Sequence, residues 1–238
     1  MKLSKRLETV ASMVTKGNRA ADVGCDHGFV PIFLVESGIS PLAVAADVRP
    51  GPLSRAKEHI KEYRLEEKIQ TRLSDGLANI KPGEADSLIM SGIGGILMMR
   101  LLQDEEHTAK SFKELILSPQ SELFDVRRYL VSNGYLIEYE HMLCDEGKYY
   151  FIFHVLVKKD EREWSEEEYR YGKDICKDDM KTFLAYLEKE ERQYEQILEK
   201  MKQAPENDRA VQRIAQLHQD ITCLKKRRQL VYDCGCFA

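Results

Sequence analysis

The 238-residue sequence predicts an α/β fold, with a mostly parallel sheet covered by helices and followed by a helical hairpin. Three observations carry that reading. From residue 3 to about residue 159, short β-type runs alternate with amphipathic helical stretches, the mark of a parallel sheet with helices on its faces. Two further strand-like runs then close that region. Beyond it the β signal stops, and charge-dense sequence carries apolar side chains at alternating three and four spacing, as paired helices do.

The candidate strands are residues 19–23, 42–47, 69–73, 87–91 and 114–117. Helical segments begin near Phe29, Pro52, Gly95 and Ser121, with turn signals at Gly38, Pro82-Gly83 and Asn133-Gly134. Runs 135–142 and 149–157, separated by Cys144-Asp145-Glu146-Gly147, read as an antiparallel hairpin. After residue 159 two helices are expected, broken at Ala204-Pro205-Glu206-Asn207-Asp208, where proline stops one helix and Asp208 caps the next. Met180, Leu184, Leu187, Tyr194, Leu198 and Met201 form one seam. Ala210, Ile214, Leu217, Ile221, Leu224 and Val231 form the other. Glu191 and Arg228 interrupt them, so the expectation is an imperfect antiparallel coiled coil. The division is an α/β domain over 1–159 and a coiled-coil helical domain over 160–238.

A hydrophobic content of 43%, a charged fraction of 32% and a net charge of −4 describe a soluble, mildly acidic chain that does not coat nucleic acid through bulk charge. Any nucleic-acid surface is therefore local. The opening MKLSKRLETVASMV has no apolar signal core, and no apolar run is long enough to span a membrane, so a cytoplasmic protein without a membrane partner is expected. Cys25, Cys144, Cys176, Cys223, Cys234 and Cys236 are scattered through a chain too large to need a disulfide framework, which favours a reducing compartment. Cys234 and Cys236 lack two further nearby ligands, so no metal is expected.

The segment Asp22-Val23-Gly24-Cys25-Asp26-His27-Gly28 follows the first strand and opens a helix. Its glycines allow a sharp turn and close approach to a ligand. Asp22 and Asp26 put carboxylates where a dinucleotide enzyme receives a pyrophosphate, which disfavours phosphate and favours a cationic ligand such as S-adenosylmethionine. Asp47 ends the second strand, about 25 residues after Asp22, where a carboxylate can accept both hydroxyls of a ribose. In Ser74-Asp75-Gly76, Asp75 is suited to the exocyclic amine of adenine, and Gly76 would make room for the ring. Ser91-Gly92-Ile93-Gly94-Gly95 after the fourth strand leaves backbone groups accessible where cofactor and substrate would meet. All four loops lie at carboxyl ends of strands, where open α/β sheets bind ligands.

These segments, with LSKRL near the start, ADVRPGPL, the LSPQ ending at Gln120 and the DEGKYY beginning at Asp145, resemble the bacterial methyltransferases that modify N1 of the adenine at position 22 of tRNA, the TrmK family. The resemblance implies a Rossmann-like class I methyltransferase sheet, S-adenosylmethionine as cofactor and tRNA as partner. Asp22, Gly24, Asp26, His27, Gly28, Asp47, Asp75, Gly76 and Gly92 would line the cofactor pocket.

The fourth loop lacks the Asp/Asn-Pro-Pro-aromatic tetrapeptide that grips an exocyclic amine, so ring-nitrogen chemistry stays open. Cys25 sits beside carboxylates that raise its pKa, and Cys144 has no cationic neighbour before Lys148, which argues against covalent catalysis. Asp145 is the candidate to stabilise positive charge on the methylated base, against a plain turn-forming role. His27 is read as shaping the pocket. Among basic residues that could meet RNA are Lys2, Lys5, Arg6, Arg49, Arg100, Arg127, Arg128 and Lys148. In the hairpin, residues 161–203 carry net −4 and residues 209–232 net +5, which singles out Lys225, Lys226 and Arg227. No obligate protein partner is evident. The competing readings are a nicotinamide-dependent oxidoreductase, which should lack the carboxylates at the first turn, and a noncatalytic RNA-binding or scaffolding protein.

Overall fold

The computed structural model describes residues 1–175, 179–202 and 208–233. Cys176, Cys234, Cys236 and the expected turn over 204–207 lie outside the described residues. Seven strands form one sheet: β1 (Ala20–Val23), β2 (Ala43–Asp47), β3 (Ile69–Leu73), β4 (Ser87–Ile93), β5 (Glu114–Pro119), β6 (Leu136–Asp145) and β7 (Lys148–Leu156). Their order is β3-β2-β1-β4-β5-β7-β6, with β7 antiparallel to both neighbours and the pairings among β1 to β5 parallel. Order reverses between β1 and β4, the switch point where such sheets open a ligand crevice.

Alternation along each strand sends side chains to two layers. On one face Val10 and Ala11 of α1 (Lys5–Ser12), with α2 (Phe29–Glu36) and α3 (Pro50–Glu62), pack on Ile89 and Ile116. On the other face α4 (Gly95–Asp104) and α6 (Leu123–Ser132) cover Leu88, Met90, Leu115 and Leu117. A four-residue α5 (Glu106–Ala109) and a short α7 (Glu166–Tyr171) complete the layers around the sheet.

The hairpin consists of α8 (Met180–Lys202) and α9 (Asp208–Asp233), so it begins well after residue 161, and the intervening stretch forms α7. The two charges that interrupt the seams meet each other: Arg228 donates to Glu191, which Lys225 also approaches at 3.4 Å. Phe183, Leu184, Leu187, Cys223, Leu224 and Val231 join the same buried cluster as the sheet residues. The hairpin therefore covers the sheet as well as pairing with itself, and the core runs across the expected boundary at 159.

Two polar networks hold these layers. At the amino ends of the strands, Glu114 accepts hydrogen bonds from the Thr15 amide at 2.8 Å, the Thr15 hydroxyl at 2.6 Å, Ser87 at 2.5 Å and Asn18 at 3.1 Å, and His154 lies 3.0 Å away. Burial pushes the Glu114 carboxyl up, but hydrogen bonds from His154, Ser87 and Thr15 outweigh it and hold the group down at about 2. The chain just after α1 is thereby fixed to the start of β5. Under the other face, Arg127 is fully buried, pairs with Glu140 at 2.7 Å, donates to the carbonyls of Tyr169 and Arg170, and lies over the rings of Phe151 and Phe153. Its five donors suit a buried knot better than RNA, so the expectation of an RNA contact there is corrected. Arg227 is corrected likewise: it is largely enclosed, over Phe183, and donates to the Lys173 carbonyl at 3.0 Å.

Removing one partner of a buried ion pair leaves the other uncompensated. Arg127→Ala is therefore expected to cost about 3 to 5 kcal/mol of stability, measured as a lower urea midpoint with an unchanged m-value.

Candidate active site

The carboxyl ends of β1, β2, β3 and β4 open onto a cleft of about 490 Å3. It gathers Asp22, Gly24, Asp26, His27, Asp47, Asp75, Gly76 and Gly92. Gly28 does not line it. Gly28 stands at φ 72° at the start of α2, and a side chain there would meet the Ala56 Cβ at 3.0 Å, so its bareness allows α2 to approach α3. The first turn is pinned from behind, with the amides of Gly24 and Cys25 both donating to the Ala46 carbonyl. Asp26 adopts a left-handed φ of 49°, which aspartate tolerates better than most residues, and caps no helix. Its carboxylate is exposed and lies 3.6 Å from His27, whose ring stacks on Phe29.

The close carboxylate pair is Asp22 with Asp47 rather than Asp22 with Asp26. Both are 4% exposed, on adjacent parallel strands. Burial first, and then the charge of Asp47, push the Asp22 carboxyl up to about 7, against the opposing pull of Arg6. Asp47 is oriented by the Arg49 amide at 2.8 Å on one oxygen and the Asp26 amide at 3.3 Å on the other, and the Arg49 guanidinium lies 3.6 Å from the first, which leaves the second oxygen the freer acceptor for a ligand. Burial, followed by Asp22, Asp47 and Asp26, pushes the Cys25 thiol far up, so it is no nucleophile.

At β3 the Ser74 hydroxyl donates to the Gly76 carbonyl at 2.8 Å and accepts from the Asn79 amide, fixing a loop that presents exposed Asp75 to the cleft. A Cβ on Gly76 would come within 2.4 Å of Leu101. The room made there belongs to Leu101 of α4, which itself lines the cleft, rather than to a ligand ring.

Arg6, expected among the RNA contacts, stands in the cleft: the fold carries α1 across the sheet end, and the Arg6 guanidinium donates to the Ser91 hydroxyl at 2.5 Å and lies over the Tyr150 ring. It shares the space above Gly92 with the Gln120 amide. Val48, Arg49, Leu97 and Gln120 also line the cleft. Only contacts between distant segments reveal these, although LSKRL and LSPQ were visible as motifs.

Asp145 does not line the cleft. It ends β6, paired with Lys148, at a two-residue turn whose Glu146 and Gly147 both have positive φ, and this is a turn-forming position. Lys5, Arg100 and Lys148 are exposed. Lys226 pairs with Glu167 at 3.1 Å and Lys225 with Glu191, so much of the basic run on α9 is met by carboxylates of α7 and α8. Among the described residues no His, Cys, Asp and Glu side chains gather to hold a metal ion, and no helix is long and apolar enough to cross a membrane.

The reversing strand order, the glycine turn and the carboxylates ending two neighbouring strands define a Rossmann-like methyltransferase domain. Residues 3–153 match the family described as a methyltransferase domain. Over 232 residues the chain is 28% identical to the tRNA (adenine(22)-N(1))-methyltransferase of Bacillus subtilis, covering 95% of this chain and 97% of that one. A Streptococcus pneumoniae structure, described as a candidate tRNA (m1A22) methyltransferase, superposes with a TM-score of 0.85 at 32% identity, covering 95% of this chain and all of that one. The same protein in complex with S-adenosyl-L-methionine superposes at 0.83, with 31% identity, again over 95% of this chain and all of that one. The chain belongs to the family of bacterial tRNA (adenine(22)-N(1))-methyltransferases.

Proposed function

We propose that this protein methylates N1 of adenine at position 22 of tRNA, with S-adenosylmethionine as the methyl donor. The observation that carries the reading is the buried Asp22–Asp47 pair at the mouth of the glycine turn, with Arg6 and Arg49 as cations in the same cleft. Two carboxylates repel a pyrophosphate, which sets the nicotinamide reading aside, and they suit a nucleoside that carries an ammonium. Asp22 is assigned to that ammonium and Asp47 to the ribose hydroxyls. Arg6 is placed to take the carboxylate of the same amino-acid tail, and Asp75 the adenine amine.

When bound, S-adenosylmethionine supplies an electrophilic methyl group on a sulfonium. N1 of adenine carries a lone pair and no proton, so the chain needs no general base there. Its task is to orient the base and exclude water. Ser91, Gly92 and Ile93 at the end of β4 and Gln120 just after β5 are assigned to the side of the cleft facing the incoming base. The catalytic role expected of Asp145 is given up with its position at the hairpin turn.

Cofactor chemistry is assigned to residues 1–159, and the helical region 160–238 to RNA docking and to covering the sheet. The free thiols Cys25, Cys144 and Cys223 fit a cytoplasmic protein.

Nucleoside mass spectrometry of tRNA incubated with protein and cofactor is expected to give N1-methyladenosine. Label on the exocyclic amine or on a pyrimidine would overturn the base assignment. Asp47→Ala is expected to weaken cofactor binding by about 2 to 3 kcal/mol through the loss of two charge-assisted hydrogen bonds, measured by calorimetry on the folded variant.

A further inference from the structure

A second cleft of about 440 Å3 opens beside the first, between the β6–β7 turn and α8. Gln120 lines both. The other walls include Lys148, Tyr149 and Tyr150 of β7 with Tyr186 and Lys189 of α8. Tyr149 meets Tyr186 edge-on at 5.4 Å between centroids, and the Lys189 ammonium lies 5.1 Å from the Tyr149 ring centre. Lys189 also donates to the Gly147 carbonyl at 3.4 Å, so one cation of α8 touches both the hairpin turn and the Tyr149 ring. Glu190 adds the one carboxylate, and burial pushes it above the usual carboxylate range. The basic run of α9 is spent largely on carboxylates, whereas Lys148 makes no ion pair among the described residues and stands at the mouth of this cleft.

N1 lies on the pairing edge of adenine, so an enzyme acting there takes the base out of its stack, and the neighbouring nucleotide loses a stacking partner. An aromatic wall with cations at its edge replaces that partner and meets the phosphate. Resting on the tRNA reading above, we propose that the second cleft holds the nucleotide adjoining the target adenine, its base against Tyr149 and its phosphate between Lys148 and Lys189, while the target base enters the cofactor cleft past Gln120.

The two parts of the proposal separate experimentally. Binding of unmodified tRNA is measured over a range of salt concentrations for the full chain, alongside S-adenosylmethionine affinity and methyl transfer. Tyr149→Leu is expected to weaken tRNA binding about tenfold with an unchanged salt slope, and Tyr149→Phe to restore it. Lys148→Gln with Lys189→Gln is expected to make the slope of log affinity against log salt shallower by about 0.7, the share of the one phosphate that the two lysines hold. Cofactor affinity should hold in all three. Unchanged tRNA affinity and salt slope in both the leucine and the double glutamine variants would overturn the proposal. If the variants lose tRNA binding as described while wild type transfers no methyl group, the cleft stands and the methyl-transfer reading falls.

Discussion

Two carboxylates, Asp22 and Asp47, end neighbouring strands with almost no access to water. Like charges so placed cannot both ionise freely, and the structure responds on both sides: Asp22 holds its proton up to about pH 7, while Asp47 is propped by two backbone amides. Much of the rest of the molecule can be understood as holding that pair in position between two cations, Arg6 acting on Asp22 and Arg49 lying 3.6 Å from Asp47. Because Arg6 rides on α1, the orientation of an amino-terminal helix matters to the chemistry at the sheet end. Ser91 and Tyr150 fix its head, and the Glu114 network fixes the chain that follows the helix.

The opposite face solves a different problem. Arg127 and Glu140 bury a full ion pair beneath α6 and α7, with both phenyl rings of β7 around the guanidinium. Such a pair gives little net stability against an apolar equivalent, yet it is costly to break from one side. It joins α6, β6 and α7 into one body, on which α8 and α9 lay their apolar seams. The helical hairpin is thus part of the core, and its first helix forms a wall beside the catalytic cleft.

The sheet was legible in the sequence because period-two runs and glycine turns are local signals: the predicted strands agree with β1 to β3 within a residue, and β4 to β7 differ chiefly by running further toward their turns. The glycine turn, Asp47 and Asp75 were legible for the same reason, each sitting at a strand end. What escaped depended on contacts between distant segments. Arg6 and Arg127 are both basic residues on amphipathic helices, and nothing local distinguishes one that enters a cleft or a core from one that faces solvent. Gly76 reads as room for a ligand, yet the space belongs to Leu101, more than twenty positions away. Asp145 carries the ambiguity of every acidic residue beside a tight turn. The α9 basic run looked free because its partners, Glu167 and Glu191, lie in other helices.

A carboxylate pair buried in this way is suited to a cation, and proton linkage tests that directly. In the unliganded fold Asp22 titrates at about 7, above the ordinary 3.8, so at pH 6 it is mostly protonated. The folded state therefore loses stability as pH rises from the unfolded value through the folded one. A cationic ligand beside it favours the ionised form and lowers that pKa. Calorimetric titration of S-adenosylmethionine at pH 6, repeated in buffers of different ionisation enthalpy, should show release of about one proton per cofactor, fading above pH 7 as affinity levels off. Binding heats independent of the buffer at pH 6 would contradict the account.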